Sequence, residues 1–311
     1  MSLDLPLVRG HVDAAVALRE SVAPVALVRA GEADVILVDG AGFVLLDEVE
    51  ASPSGAPILR RLSGDEAVRA AEGGTASFIG VAQGRSVVAI EVSRDEAWGR
   101  WEHLRAVGWQ LDGDDAALAL TALALAGWHA NYRFCPRCGA PVQLVSGGWA
   151  ARCEACDRLE YPRQDPAIIV LVEDHDGRVL LAHNAAWPPG FVSIIAGYVE
   201  AGESPDITVA REVAEEVGVD IETPTYVATQ PWPFGRSQMM GYRARTALPR
   251  PTPQADGVEI EWARFYSRDE LTRALDNGEI SAPGRASIAY ALLREWYGEE
   301  LPSGSDGAGR N

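Results

Sequence analysis

The sequence predicts an α/β chain: a sandwich of helices on a mixed sheet, preceded by a zinc ribbon and an α+β N-terminal domain. Three observations carry that expectation. Residues 163–300 read as strand, turn, strand, loop and helix, then more strands and two final helices, which is the order of an α/β sandwich. All four cysteines fall in one short segment as two C-x2-C knuckles. Residues 1–130 hold short β-prone runs followed by a long apolar helix. At 311 residues and 47% hydrophobic content, the chain has room for about two domains with well-formed cores.

In residues 1–130, the segments 25–29, 35–38 and 43–46 are β-prone and separated by glycine-containing turns. Segments 77–81 and 87–92 bracket Gln83-Gly84-Arg85 and read as a hairpin. Helices are expected near 96–107 and 116–129. The second is the most apolar stretch, yet Thr121, Gly127 and His129 interrupt it, so it reads as a buried helix. No run of 18 apolar residues exists, which excludes a transmembrane helix. The first residues, MSLDLPLVRGHVD, lack a basic start followed by an apolar core, so no signal peptide is expected and the implied compartment is the cytoplasm. His11 and His103 have no ligand-like neighbours and read as ordinary histidines. No catalytic motif stands in this region, and the chain shows no internal repeat.

Residues 131–162 form the ribbon. Cys135 and Cys138, then fourteen residues, then Cys153 and Cys156 give each knuckle two thiolates. Together they complete a tetrahedral site with no open position, so the zinc is structural. Gly139 permits the turn that folds the backbone back on the sulfurs. Disulfides are the competing assignment, and nothing in the sequence points to export.

Beyond the ribbon, 167–172 is a continuous apolar strand, Asp174-His175-Asp176-Gly177 a turn, and 179–181 the returning strand. Segment 191–196 leads into GYVEAGESPDITVAREVAEEVGV at 197–219. Ser204 suits a helix cap, Pro205 its first turn and Gly218 its stop. Ala210, Val213, Ala214 and Val217 fall on one stripe, and Glu212, Glu215 and Glu216 on the opposite face. Three carboxylates that close repel by roughly 1–4 kcal/mol per pair, and a divalent cation reverses the sign. An oxygen-only donor set suits Mg2+ or Mn2+ rather than zinc. After this helix come strands at 225–229, 240–245 and 262–266 and helices at 268–276 and 287–297, the first stopped by Asn277-Gly278. Residues 301–311 are Gly/Ser-rich and expected to be disordered.

The segment 197–219 fits G-x5-E-x7-R-E-U-x-E-E-x-G-U, with U bulky and aliphatic, through Gly197, Glu203, Arg211, Glu212, Val213, Glu215, Glu216, Gly218 and Val219. It resembles the signature box of the Nudix hydrolases, whose fold is an α/β/α sandwich with a mixed sheet. A second array begins fourteen residues after Glu216: Gln230, Pro231, Trp232, Pro233, Phe234, Gly235, Arg236 and Ser237. It resembles Q-P-W-P-F-P-x-S, which marks the NADH pyrophosphatase branch; Gly235 departs from that pattern, where a proline would fix the backbone.

The resemblance implies hydrolysis of NADH or NAD+ to AMP and a nicotinamide mononucleotide, by a homodimer. It also implies removal of NAD caps from RNA 5′ ends in some members. It implies Glu212, Glu215, Glu216, Glu259 and the Ala196 carbonyl as Mg2+ or Mn2+ ligands, with Glu261 the alternative to Glu259. Glu216 is then the residue whose loss abolishes turnover, and Arg211 pairs with Glu203 to orient the helix face. Tyr161 and Tyr198 are the implied stacking rings. Gln230 and Ser237 are expected to hydrogen-bond ribose or phosphate, and Ala289 to offer a backbone contact. His183 matches no catalytic slot. A net charge of −18 disfavours nonspecific attraction to nucleic acid or anionic membranes. An ADP-ribose or other nucleoside-diphosphate hydrolase is the competing enzyme. A noncatalytic NAD-sensing or RNA-binding module is the competing class.

Overall fold

Apolar runs of period two and helices with one greasy face build two compact units. A computed structural model describes residues 3–47, 55–94 and 98–302. The expected disordered tail lies outside the described residues from position 303 on. One unit comprises Pro6–Gln164 with Trp232–Arg236, the other Met1–Leu5, Asp165–Pro231 and Ser237–Asn311.

The N-terminal unit contains α1 (Pro24–Arg29), β1 (Ala33–Val38), β2 (Phe43–Leu46), α2 (Gly64–Gly73), β3 (Thr75–Ala82), β4 (Arg85–Glu91), β5 (Arg100–His103), α3 (Leu104–Val107) and α4 (Gly113–Asn131). Its sheet runs β3-β4-β1-β2-β5, with β1 and β4 parallel and β1–β2 and β2–β5 antiparallel. Val35 and Leu37 pack with Val28 of α1 and with Ala67, Ala70 and Ala71 of α2. Ile36 and Val38 alternate with them and are also buried. The β3–β4 hairpin turns through Gln83 (φ 51°) and Gly84 (φ 77°), the left-handed pair a two-residue turn requires. The ribbon follows as β6 (Val142–Val145), β7 (Ala150–Cys153) and β8 (Leu159–Glu160), a three-stranded antiparallel sheet.

Two expectations fail here. Residues 25–29 are a helix turn and not a strand, because Pro24 occupies its first position and Val28 reaches the core. Arg100–His103, expected inside a helix, is a strand pairing with β2, and only Leu104–Val107 is helical. Glu96, at the start of that expected helix, lies outside the described residues. Helix α2 was not anticipated; its fully buried residues are the alanines 67, 70 and 71, with Val68 partly buried beside them.

The C-terminal unit contains β9 (Asp165–Glu173), β10 (Val179–Asn184), β11 (Ile195–Tyr198), α5 (Pro205–Val217), β12 (Thr225–Trp232), β13 (Ser237–Arg245), β14 (Ile260–Tyr266), α6 (Arg268–Asp276) and α7 (Ile288–Tyr297). Its sheet runs β12-β13-β9-β10-β14, with β11 beside β9, and it is mixed because β13 and β9 are parallel. Parity along β9 makes three layers. Ile168, Val170 and Val172 pack with Val209, Val213 and Val217 of α5. Ile169 and Leu171 pack with Leu271 and Leu275 of α6 and Leu292, Leu293 and Trp296 of α7.

The two sheets correspond strand for strand. Leaving β11 out of the count, in each the first strand pairs antiparallel with the second, the second antiparallel with the last, and the first parallel with the fourth. A helix precedes the third strand of the sheet and two helices follow the last. The chain thus repeats an architecture that its residues do not repeat, which is why no internal repeat was legible.

Candidate active site

The box helix α5 starts at Ser204, in extended backbone, with Pro205 in its first position, and stops at Gly218 with φ 63°. Ser204 makes no side-chain capping bond; its carbonyl instead accepts from Thr208 Oγ1 at 3.1 Å. The buried stripe is Val209, Val213 and Val217, flanked by Thr208 and Glu216. Ala210 and Ala214, expected on that stripe, are exposed. The helix is rotated so that its valines take the core, and this sinks Glu216 while leaving Glu215 outside. Their exposures decide their roles: Glu216 is 6% exposed, whereas the Glu215 side chain is 61% exposed.

Arg211 organises one group of carboxylates. Its Nε and Nη2 donate to the two oxygens of Glu203, each at 2.9 Å, a bidentate pair. Its Nη1 donates to Glu212 at 2.9 Å and Glu215 at 3.0 Å, and Nη2 reaches the Tyr198 carbonyl at 3.1 Å. Glu203 also accepts from Thr208 Oγ1 and the Glu200 N–H. These donors, Arg211 first, hold the Glu203 carboxyl down at about 2, and the same carboxylates push Arg211 up.

Glu216 and Glu259 form the second group. Both line a cavity of about 90 Å3 with Ala196, Asn184, Trp187 and Ile260. Burial, then the nearby charges of Glu259, Glu212, Asp256 and Glu215, push Glu216 up to about 8. Burial raises Glu212 as well. A buried carboxyl crowded by four others is a site short of positive charge, which a hard divalent cation supplies. Of the residues lining this cavity, Glu216 and Glu259 offer carboxylate oxygens, while Glu212 and Glu215 are paired with Arg211. Gly197 belongs to the same cradle: a Cβ there would sit 2.1 Å from the Glu212 carboxyl carbon. Glu261, the alternative ligand, is 64% exposed on its side chain and lies 3.6 Å from His183 Nε2.

Two residues of this site escaped the sequence reading. Asp256 accepts from the N–H groups of Val258, Glu259 and Ile260 and so fixes the turn bearing Glu259. The Asp256-Gly257 dipeptide was the available signal. Asn184 donates to Glu259 at 3.1 Å, and no pattern marks it.

Tyr198 and Tyr161 are 55% and 60% exposed, so neither ring is part of the core. Tyr198 Oη is 3.3 Å from Ser237 Oγ. Gln230, expected at substrate, is fully buried: Nε2 donates to the Ala286 carbonyl at 2.8 Å and Oε1 accepts from the Ile288 N–H at 2.7 Å. Its amide tethers the start of α7. Ala289 is buried in the core with its neighbours on α7.

Tyr161 and Trp232–Arg236 belong to the N-terminal unit. There Trp232 and Phe234 meet edge to face at 4.9 Å. Arg105 lies 5.5 Å and 4.6 Å over their rings, and the His103 ring lies tilted by 30° against Phe234 at 5.0 Å. His103, expected to be an ordinary histidine, therefore supports the aromatic array. The Gly235 N–H makes only a marginal 3.5 Å bond to the Trp232 carbonyl.

In the ribbon, the four cysteine sulfurs lie within 4.8 Å of one another, with contacts of 3.4, 3.7 and 3.8 Å. Tetrahedral Zn–S bonds of about 2.3 Å put sulfurs about 3.8 Å apart, and a disulfide about 2 Å. The spacing is that of a tetrathiolate zinc site. Gly139 (φ 73°) and Asp157 (φ 58°) close the two knuckles in the left-handed conformation.

With this geometry in place, comparison with known proteins is informative. The NUDIX domain family model matches residues 163–297, the NADH pyrophosphatase zinc ribbon domain 130–161, and the NADH pyrophosphatase-like rudimentary NUDIX domain 22–128. The chain is 41% identical over 212 residues to the NAD-capped RNA hydrolase NudC of Stutzerimonas stutzeri, covering 68% of this chain and 73% of that one. It is 40% identical over 201 residues to the protein of the same name from Mycobacterium bovis, covering 62% of this chain and 64% of that one. Against the mitochondrial NAD(P)H pyrophosphatase NUDT13 of Mus musculus, identity is 36% over 213 residues, covering 65% of this chain and 60% of that one. The match thus spans slightly less than two thirds of the mycobacterial relative.

Proposed function

Because the chain belongs to the NADH pyrophosphatase branch of the Nudix hydrolase family, we propose that it hydrolyses the pyrophosphate of NADH or NAD+ to AMP and nicotinamide mononucleotide. The observation that carries this reading is the cavity lined by buried Glu216 together with Glu259 and Ala196. In the proposal Glu212, Glu215, Glu216, Glu259 and the Ala196 carbonyl hold Mg2+ or Mn2+. The bound ion supplies charge neutralisation and an activated water. Arg211 and Glu203 fix the helix face that presents these carboxylates. The exposed ring of Tyr198 is assigned to stacking on the dinucleotide, and Ser237 to a polar contact beside it. Gln230 is assigned to holding α7 rather than to substrate. The zinc ribbon is assigned one structural Zn2+.

The names of two relatives motivate a second substrate, the NAD cap of an RNA 5′ end. We also infer a homodimer, supported by the half-covered Trp232 and Phe234 rings, and a cytoplasmic location, supported by four cysteines that form no disulfide, which suits a reducing compartment. No helix among the described residues is long and apolar enough to cross a membrane.

The test is product analysis after adding NADH, NAD+, ADP-ribose or NAD-capped RNA to purified protein with Mg2+ or Mn2+. The expected products from NADH are AMP and reduced nicotinamide mononucleotide. Glu216→Gln is expected to lower kcat by about 10^2–10^4-fold. Faster cutting of ADP-ribose than of NADH would reassign the substrate. Binding of dinucleotide without cleavage would make the chain a sensor.

A further inference from the structure

We propose that Asn184 is a positioning residue for the cation site, acting through Glu259. This rests on the assignment of Glu259 as a ligand. Glu259 precedes β14 and stands in a turn rather than in the regular sheet. A carboxylate on such a turn needs a partner to hold its rotamer, and Asn184 supplies it. The register between β10 and β14 shifts at His183/Asn184: His183 pairs with Trp262 but Asn184 pairs with Ile260. This irregularity ends the regular ladder where the two strands reach the cavity.

Asn184 Nδ2 then donates to Glu259 Oε1 at 3.1 Å, and Asn184 Oδ1 accepts from the Ala186 N–H at 2.9 Å. The backbone closes the same knot. The Ala185 N–H donates to the Glu259 carbonyl and the Trp187 N–H to the Asn184 carbonyl, each at 2.9 Å. One side chain thus orients a candidate ligand with its nitrogen and shapes the loop bearing Trp187 with its oxygen. Asn184 and Trp187 both line the cavity of Glu216 and Glu259. An amide suits this place better than an acid or a base. It donates to the carboxylate without adding a negative charge to the cluster or neutralising it as a lysine would.

The test is a double-mutant cycle on Mn2+ affinity, read by electron paramagnetic resonance of free Mn2+ with the zinc-loaded full chain and no substrate. Asn184→Ala is expected to weaken Mn2+ binding about 10-fold, as loss of a partner to a metal ligand does. In a Glu259→Ala background the same substitution is expected to change nothing further, because the group it orients is gone. Asn184→Asp keeps the acceptor for Ala186 and loses the donor, so retention of the thermal midpoint in that variant separates the loop from the ligand. If Glu259→Ala weakens Mn2+ binding but Asn184→Ala does not, the positioning role is overturned and Glu259 keeps its assignment. An equal loss from Asn184→Ala in both backgrounds also overturns it. If Glu259→Ala leaves Mn2+ affinity intact, the ligand assignment falls and this inference with it.

Discussion

Gly197 and Glu203 show how much single residues of the box do without being candidate ligands. Gly197 has ordinary backbone angles, so its requirement is space: the Glu212 carboxyl lies where a side chain would begin. Gly197→Ala is expected to cost about 1–3 kcal/mol in urea denaturation and to displace Glu212, lowering kcat. Glu203 carries a different signature. Its carboxyl sits at about 2 against an ordinary 4.5, so its ion pair with Arg211 stabilises the fold fully above pH 4.5 and that contribution is lost as pH falls through about 2. The difference in thermal midpoint between the protein and Glu203→Gln is therefore expected to be greatest near neutrality and to close between those two values. Activity in that variant is expected to fall about 10-fold, since Arg211 loses its bidentate partner. At this scale the sequence was highly legible for charged residues at fixed spacing. The four cysteines cluster as their spacing implied, and Arg211 pairs with Glu203 as the resemblance implied. Asn184 was not legible, because its role depends on a strand register that no local pattern encodes.

Among the elements, apolar runs and their bounding turns were the reliable guide. Strands β9, β10, β12, β13 and β14, the hairpin at Gln83-Gly84 and the long helix Gly113–Asn131 stand at the segments they marked. Where it misled, tertiary pairing overrode local preference. Arg100–His103 becomes a strand because β2 offers an edge, and the valines at 25–29 become helical because Pro24 starts a turn. Gln230 is the element-scale surprise, since it looked like a ligand contact and instead bridges β12 to α7. Gln230→Leu strands the Ile288 N–H and the Ala286 carbonyl without these partners and is expected to destabilise the protein by about 1–3 kcal/mol. At temperatures where that variant remains folded, KM for NADH is expected to be unchanged. A selective rise in KM would return Gln230 to the substrate.

Across the whole molecule, the domain order of the family was readable, but the duplicated architecture was not. Burial patterns tolerate many sequences, so two sheets with one strand order can share no visible residues. The two copies differ in the helix between their second and third strands. Helix α5 carries Glu212, Glu215 and Glu216 toward solvent and cavity, whereas α2 offers Ala67, Ala70 and Ala71 to its core and no acidic trio at that spacing. The consequence is one of stoichiometry. A chain that builds this sheet twice is expected to titrate as a single cation centre, carried by the C-terminal sheet. Counting Mn2+ on the zinc-loaded protein tests this. A variant with Glu212, Glu215 and Glu216 all changed to Gln is expected to retain none, and any saturable remainder would reveal a second centre in the N-terminal sheet.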